Sequence, residues 1–253
     1  MQVSLIFHCI GENLRIYLKY LKKKKLNQLK KNNGSYRDPA GEVYHYKDRI
    51  IRIVKEPGKA RFEFIKKNNL IEESVKKNFL INSKEIKNEF SNTPFEKSCY
   101  FVEHEKIDYI SHPYEWSFYQ LKTAALHHLN YQIFLLEKNS VLIDATAYNI
   151  QFKNNKPIFI DLLSIDKYIE GDYWKGYSQF LREFLNPLLL QSLKGITFNN
   201  WYKGNLNGIY TEDLNKIFNL KDKISLNVYT HVVLLTKFLR QTTLNPKKIF
   251  NKF

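Results

Sequence analysis

The hydrophobic pattern divides the chain into a strand-rich first part and a helix-rich second part. Residues 41–54, GEVYHYKDRIIRIV, carry two runs of β-branched and aromatic residues about a Lys47-Asp48 turn, which predicts a β-hairpin. Pro57 and Gly58 interrupt that pattern. A helix is expected from about Lys59 to Lys67, with further helical turns from Ile71 to Leu80 and Asn69 between the two. SCYFVEHEKIDYIS, residues 98–111, predicts another strand pair that would complete a small sheet. The clearest helix spans residues 115–139, where Phe118, Leu121, Ala125, Leu129, Ile133 and Leu136 recur at steps of three and four. Pro113, just ahead of it, suits a helix start.

Residues 141–166, VLIDATAYNIQFKNNKPIFIDLLSID, pose the functional question. Two apolar strand-like runs, VLI and PIFI, each lead into an aspartate, Asp144 and Asp161, with Asn149 between them. The pattern predicts a hairpin turning at residues 153–156, with carboxylates at the mouth of both strands. Residues 173–253 are expected to be mostly helical. The element order gives an α+β chain with a small β-rich lobe and a larger helical lobe that carries the hairpin. The expected divisions are a basic extension over 1–33, an N-lobe over 34–112 and a C-lobe over 113–253.

Composition narrows the class. A chain of 253 residues, 43% hydrophobic, with 17 Tyr, 18 Phe and 3 Trp, can bury one sizeable core and is not a disordered composition. The formal charge is +15, from 40 Lys+Arg against 25 Asp+Glu. The lysines are scattered, as an AT-rich coding bias would leave them, so nucleic-acid binding ranks behind other readings. A basic surface would still attract a nucleotide or an anionic glycan. Cys9 and Cys99 show neither metal spacing nor a disulfide framework, which fits a reducing cytoplasm. No apolar run reaches the roughly 18 residues that a membrane span needs. The N-terminal lysines follow the apolar run, the reverse of a secretory signal, and docking of this segment onto the domain is expected over membrane attachment.

Phosphoryl transfer needs a carboxylate to orient the attacking hydroxyl, and oxygen ligands to hold Mg²⁺ against nucleotide phosphates. Asp144, Asn149 and Asp161 supply those groups, and a neutral asparagine avoids a third negative charge in a small space. The D-x4-N pattern, followed by an apolar strand and Asp, resembles the catalytic and metal-binding loops of the protein-kinase-like fold. GSYRDPAGEVY, HPYEWSFYQLKTAALHHL, LIDATAYNIQF, KPIFIDLLSID and YSQFLREFLNPLLL, in that order, are similar to a bacterial nodulation-protein-like (NoeA-like) family also labelled "SAM-dependent methyltransferase". This likeness runs from about Gly34 to about Thr236.

The resemblance implies a bilobal kinase-like fold binding ATP, or another nucleotide, and Mg²⁺. It implies Asp144 as catalytic base and Asn149 and Asp161 as metal ligands. Arg52 would pair the phosphates, with Glu63 as its acidic partner, and the loop from Gly34 through Ser35 to Gly41 would cover them. The chain departs from the kinase pattern in four places. It has no G-x-G-x-x-G, Arg52 stands for the usual lysine, Ile143 for the arginine of H-R-D, and Leu162-Leu163 for Phe-Gly. The methyltransferase label does not carry over, since no strand–GxGxG–helix start is present.

Each candidate has a structural alternative. Asp144 and Asn149 suit turns, Asp166 suits a helix cap, and Arg52 with Glu63 suits an ion pair. His127 and His128 point about 100° apart on a helix and cannot chelate one metal as an i, i+4 pair could. Trp116, Trp174, Tyr177, Phe180 and Phe184 fit core positions, while Gln179 and Arg182 could face an acceptor. The leading expectation is an ATP- and Mg²⁺-dependent phosphotransferase acting on a hydroxyl of a small molecule or cell-surface glycan. The alternatives are a non-catalytic kinase-like module partnering a separate methyltransferase or glycosyltransferase, and a basic nucleic-acid-binding protein.

Overall fold

Alternation around Lys47-Asp48 forms the expected hairpin, and an antiparallel sheet grows from it. The computed structural model describes residues 29–32, 38–86 and 100–238. Strands β1 (Leu29–Lys31), β2 (Gly41–Tyr46), β3 (Arg49–Val54), β4 (Ser83–Glu85) and β5 (Tyr100–His104) lie in the order β1-β2-β3-β5-β4. β2 and β3 pair from Gly41–Val54 to Tyr46–Arg49, and Lys47 takes a left-handed φ of 54° in the turn. β3 is central and buried on both faces, Ile51 and Ile53 on one and Arg52 and Val54 on the other. Where a strand pair is expected over 98–111, one described strand forms, β5, and its partners β3 and β4 come from upstream. Glu105, Lys106 and Asp108 break the alternation beyond His104.

Helix α1 (Glu56–Lys67) takes in Pro57 and Gly58, which the sequence pattern treats as a break. Proline costs no hydrogen bond in a first turn, and at Gly58 a Cβ would lie 2.6 Å from the Ala40 carbonyl oxygen. Asn69, at φ 53°, separates α1 from α2 (Leu70–Lys76). Phe62, Ile65, Leu70 and Ile71 of these helices are buried.

The chain divides into two compact units, Met1–Asp108 and Tyr109–Phe253. In the second, Pro113–Glu115 forms a separate 3-10 turn and Trp116 is extended, so the long helix α3 runs over Phe118–Leu136. Ser117 caps it, accepting from the Gln120 amide while the Gln120 side chain accepts from the Ser117 amide. Its buried face is Leu121, Ala124, Ala125, His128, Tyr131, Gln132 and Leu135. Of the periodic apolar set, Leu121 and Ala125 are buried while Ile133 and Leu136 are exposed. The helix is apolar on most sides, so its period alone does not choose the inward face.

The stretch 140–167 is not one hairpin of VLI against PIFI. β6 (Ser140–Leu142) pairs antiparallel with β9 (Ile165–Lys167), while β7 (Ile150–Lys153) and β8 (Lys156–Phe159) form a separate ribbon. Asn154 and Asn155, at φ 50° and 60°, make its tight turn, as the turn chemistry predicts. Asp166 is no helix cap: it lies in β9 opposite Val141, and its carboxylate accepts from the Lys167 amide.

Helix α4 (Tyr177–Phe180), a π turn (Leu181–Leu185) and α5 (Asn186–Lys194) follow directly on one another. The shorter helices α6 (Asn199–Gly204) and α7 (Thr211–Ile217) come after. The described residues are thus mixed α and β, with an antiparallel sheet and several helices. No helix among them is long and apolar enough to cross a membrane.

Candidate functional site

Two backbone hydrogen bonds extend the β6–β9 and β7–β8 pairs at their mouths. The Ile143 amide donates to the Ser164 carbonyl at 2.9 Å, and the Ile160 amide donates to the Asn149 carbonyl at 2.9 Å. Asp144, Asn149 and Asp161 are each one residue away from one of these bonds, or part of it. The half-buried side chains meet accordingly. Ser164 Oγ donates to Asp161 Oδ2 at 2.7 Å and accepts from Asn149 Nδ2 at 3.2 Å, and the Asn149 side chain also hydrogen-bonds Asp144. Asp144, Asn149, Ser164 and Asp161 therefore form one hydrogen-bonded chain.

The aspartates also hold turns. Asp144 Oδ1 accepts from the Thr146 amide at 2.9 Å, and Asp161 Oδ1 from the Leu163 amide at 3.3 Å. Burial pushes the Asp144 carboxyl above the ordinary aspartate range, and the nearby charge of Asp161 adds to the rise. Hydrogen bonds from the Thr146 amide and from Gln179 and Asn149 pull the other way. Among the described residues no three His, Cys, Asp or Glu side chains could hold a metal ion. A hard cation here would rest on two carboxylates and an amide oxygen.

A second layer behind the 144–149 loop comes from the helix that follows. Gln179 accepts from the Ala145 amide at 3.1 Å and hydrogen-bonds both Asp144 and Glu183. Glu183, only 3% exposed, accepts at Oε2 from Thr146 Oγ1 at 2.7 Å and from the Ala147 amide at 2.9 Å. Burial pushes the Glu183 carboxyl upward, and the charge of Asp144 acts in the same direction.

The π turn that carries Glu183 widens the helix, and donors from elsewhere bond its carbonyls. The Ile209 amide bonds the Arg182 carbonyl at 2.9 Å, and the Tyr202 hydroxyl bonds that of Glu183 at 3.0 Å. Gly208, at φ 78°, lies so close that any Cβ would strike the Arg182 carbonyl. On the other flank Trp174 Nε1 donates to the Leu142 carbonyl at 2.6 Å. A Cβ at Gly176 would lie 2.9 Å from that of Ala145.

The remaining sequence candidates lie in the first unit or outside the described residues. Gly41 opens β2. Arg52 bonds Asp38 at 3.4 Å, and the Glu63 carboxylate accepts instead from the Tyr100 hydroxyl at 2.7 Å. Asp38, not Glu63, is therefore the acidic partner found for Arg52. Gly34 and Ser35 fall outside the described residues. Sequence reasoning missed Ser164, Glu183 and Gly176. The serine three residues after Asp161 is a legible turn signal, whereas nothing local sets Glu183 apart from other polar helix positions.

No family model matches the chain. Over 214 residues it is 37% identical to the Nodulation protein NoeA of Rhizobium meliloti (strain 1021). The alignment covers 85% of this chain and 44% of that protein, so the chain spans less than half the length of the curated relative it matches.

Proposed function

The alignment supports a NoeA-like family for this chain, and on that premise we propose that it is an ATP- and Mg²⁺-dependent phosphotransferase acting on a hydroxyl group. The observation that carries the reading is the linked set Asp144–Asn149–Ser164–Asp161 at one cluster of strand ends. The order β6, loop, β7–β8 ribbon, β9 supports it as well, because it brings Asp144, Asn149 and Asp161 to one mouth, the side-chain types that such a transfer needs. Asp144 is the base: its carboxylate takes the acceptor's proton as the hydroxyl oxygen bonds the γ-phosphorus and the bond to the ADP oxygen breaks. Asn149 spends its amide nitrogen on Ser164, which leaves its oxygen to serve, with Asp161, as a hard ligand. Mg²⁺ held there would neutralise phosphate charge during transfer. Acceptors of this reading are small molecules or glycans, and the setting is cytoplasmic.

A second reading is a non-catalytic nucleotide-binding module that partners a separate methyltransferase or glycosyltransferase. The Arg52 ion pair with Asp38 and the absence of a G-x-G-x-x-G favour it.

Thermal unfolding with Mg-ATP tests both. Ligand at about 100 times its Kd stabilises by about 2.7 kcal/mol. Asp144→Asn should keep that shift and lose phosphoryl transfer, about 10³-fold or more. Asp161→Asn should lose the Mg²⁺-dependent part of the shift. No stabilisation of the wild-type chain by any Mg-nucleotide defeats both readings, and full turnover in Asp144→Asn defeats the first.

A further inference from the structure

The outward face of α3 carries an apolar stripe that stands exposed among the described residues. Tyr119, Leu126, Ile133 and Leu136 are 72%, 50%, 56% and 39% exposed, and Leu129 is half-buried between them. The inward face of the same helix is already filled by Leu121, Ala124, Ala125, His128, Tyr131 and Leu135. The outward positions 119, 126 and 133 are spaced by seven, and 122, 129 and 136 fall three after each. That is a two-position heptad in which Lys122 is the one charged position, the spacing of a helix-to-helix seam rather than of scattered surface residues.

We propose that α3 pairs with α3 of a second copy of this chain, antiparallel, about a two-fold axis. The stripe matches itself in that register. Tyr119 meets Leu136 of the second copy, Leu126 meets Leu129, and Lys122 meets Ile133, so every seam position finds a partner under one symmetry operation. The axis crosses the helix between His127 and His128. Charge complementarity fixes the direction. In this register Lys122 lies about 6 Å along the axis from Glu137 of the second copy, within reach of its side chain. A parallel pairing would set Lys122 against Lys122.

The seam runs about 26 Å and removes on the order of 800 Å² from water over both copies, less than the roughly 1,200 Å² of a stable specific interface, so the pairing is weak and transient. The pairing is accordingly a concentration-dependent equilibrium in the micromolar range. It is independent of any phosphotransfer chemistry.

Sedimentation of the full chain through that range reads it directly. The weight-average mass should climb from the 30.3 kDa of one copy toward twice that value. Leu126→Glu and Ile133→Glu, both at exposed positions, should each weaken pairing at least tenfold with little change in melting temperature. Lys122→Glu should weaken it about twofold, and adding Glu137→Lys should restore it. A chain that stays monomeric throughout overturns the proposal, as does a dimer indifferent to Leu126→Glu and Ile133→Glu. Failure of the double charge exchange to recover what Lys122→Glu loses overturns the antiparallel register.

Discussion

At the scale of single residues, Glu183 and His128 show what burial does to ionisable groups. Glu183 Oε2 accepts from both the Thr146 hydroxyl and the Ala147 amide. Glu183→Ala strands both donors and should cost about 2–4 kcal/mol in urea unfolding, whereas Glu183→Gln keeps an acceptor oxygen and should cost less than half of that. His128 is fully buried among Phe159, Trp174, Phe180 and Phe184, with ring centroids 5.7–5.9 Å away. Burial brings its pKa down to about 3, with the neighbouring His127 acting in the same direction. The unfolded chain therefore binds a proton that the folded chain refuses. Stability falls as pH drops below about 6.5, by up to about 1.4 kcal/mol per unit, and the loss ends near the folded value of about 3. His128→Leu should flatten that acid limb in melts recorded between those limits.

At the scale of elements, the π turn makes the clearest demand on its surroundings. Gly208 sits against the Arg182 carbonyl with a left-handed backbone, so Gly208→Ala meets both a clash and strain. It should cost about 3 kcal/mol or more, and, on the proposed phosphotransfer reading, it should lower turnover beyond what lost stability explains, because Glu183 is carried by the turn. Turn chemistry made the β2–β3 and β7–β8 ribbons legible in the sequence: Lys47-Asp48 and Asn154-Asn155 name their own geometry. Strand partners were less legible. VLI and PIFI are equally apolar, and nothing local says that the first pairs with residues 165–167. The periodic apolar set on α3 spans both its faces for a related reason. Ala124 and Ala125 allow close packing on one side, and larger residues remain on the other. Asp144, Asn149 and Asp161 were legible by spacing, but the buried acid that braces their loop was not, since only tertiary contact distinguishes Glu183 from a surface glutamate.

At the scale of the molecule, a net charge of +15 opposes self-association even where an apolar seam favours it. Salt shortens the range of that repulsion. The dimer proposed for α3 should therefore tighten as ionic strength rises, whereas attraction of the proposed nucleotide to the basic protein should weaken. Sedimentation and nucleotide titration at low and moderate salt separate the two trends.

The hydrogen bond from Trp174 to the Leu142 carbonyl places an indole ring against the strand that ends two residues before Asp144. Of the three tryptophans, Trp116 is buried at the opposite end of α3, held by Ser111, and Trp201 lies in α6. The chain thus has an intrinsic fluorophore wired to its most chemically loaded loop. Any event that pulls that loop away from the indole will change the emission of Trp174 without a label having been added.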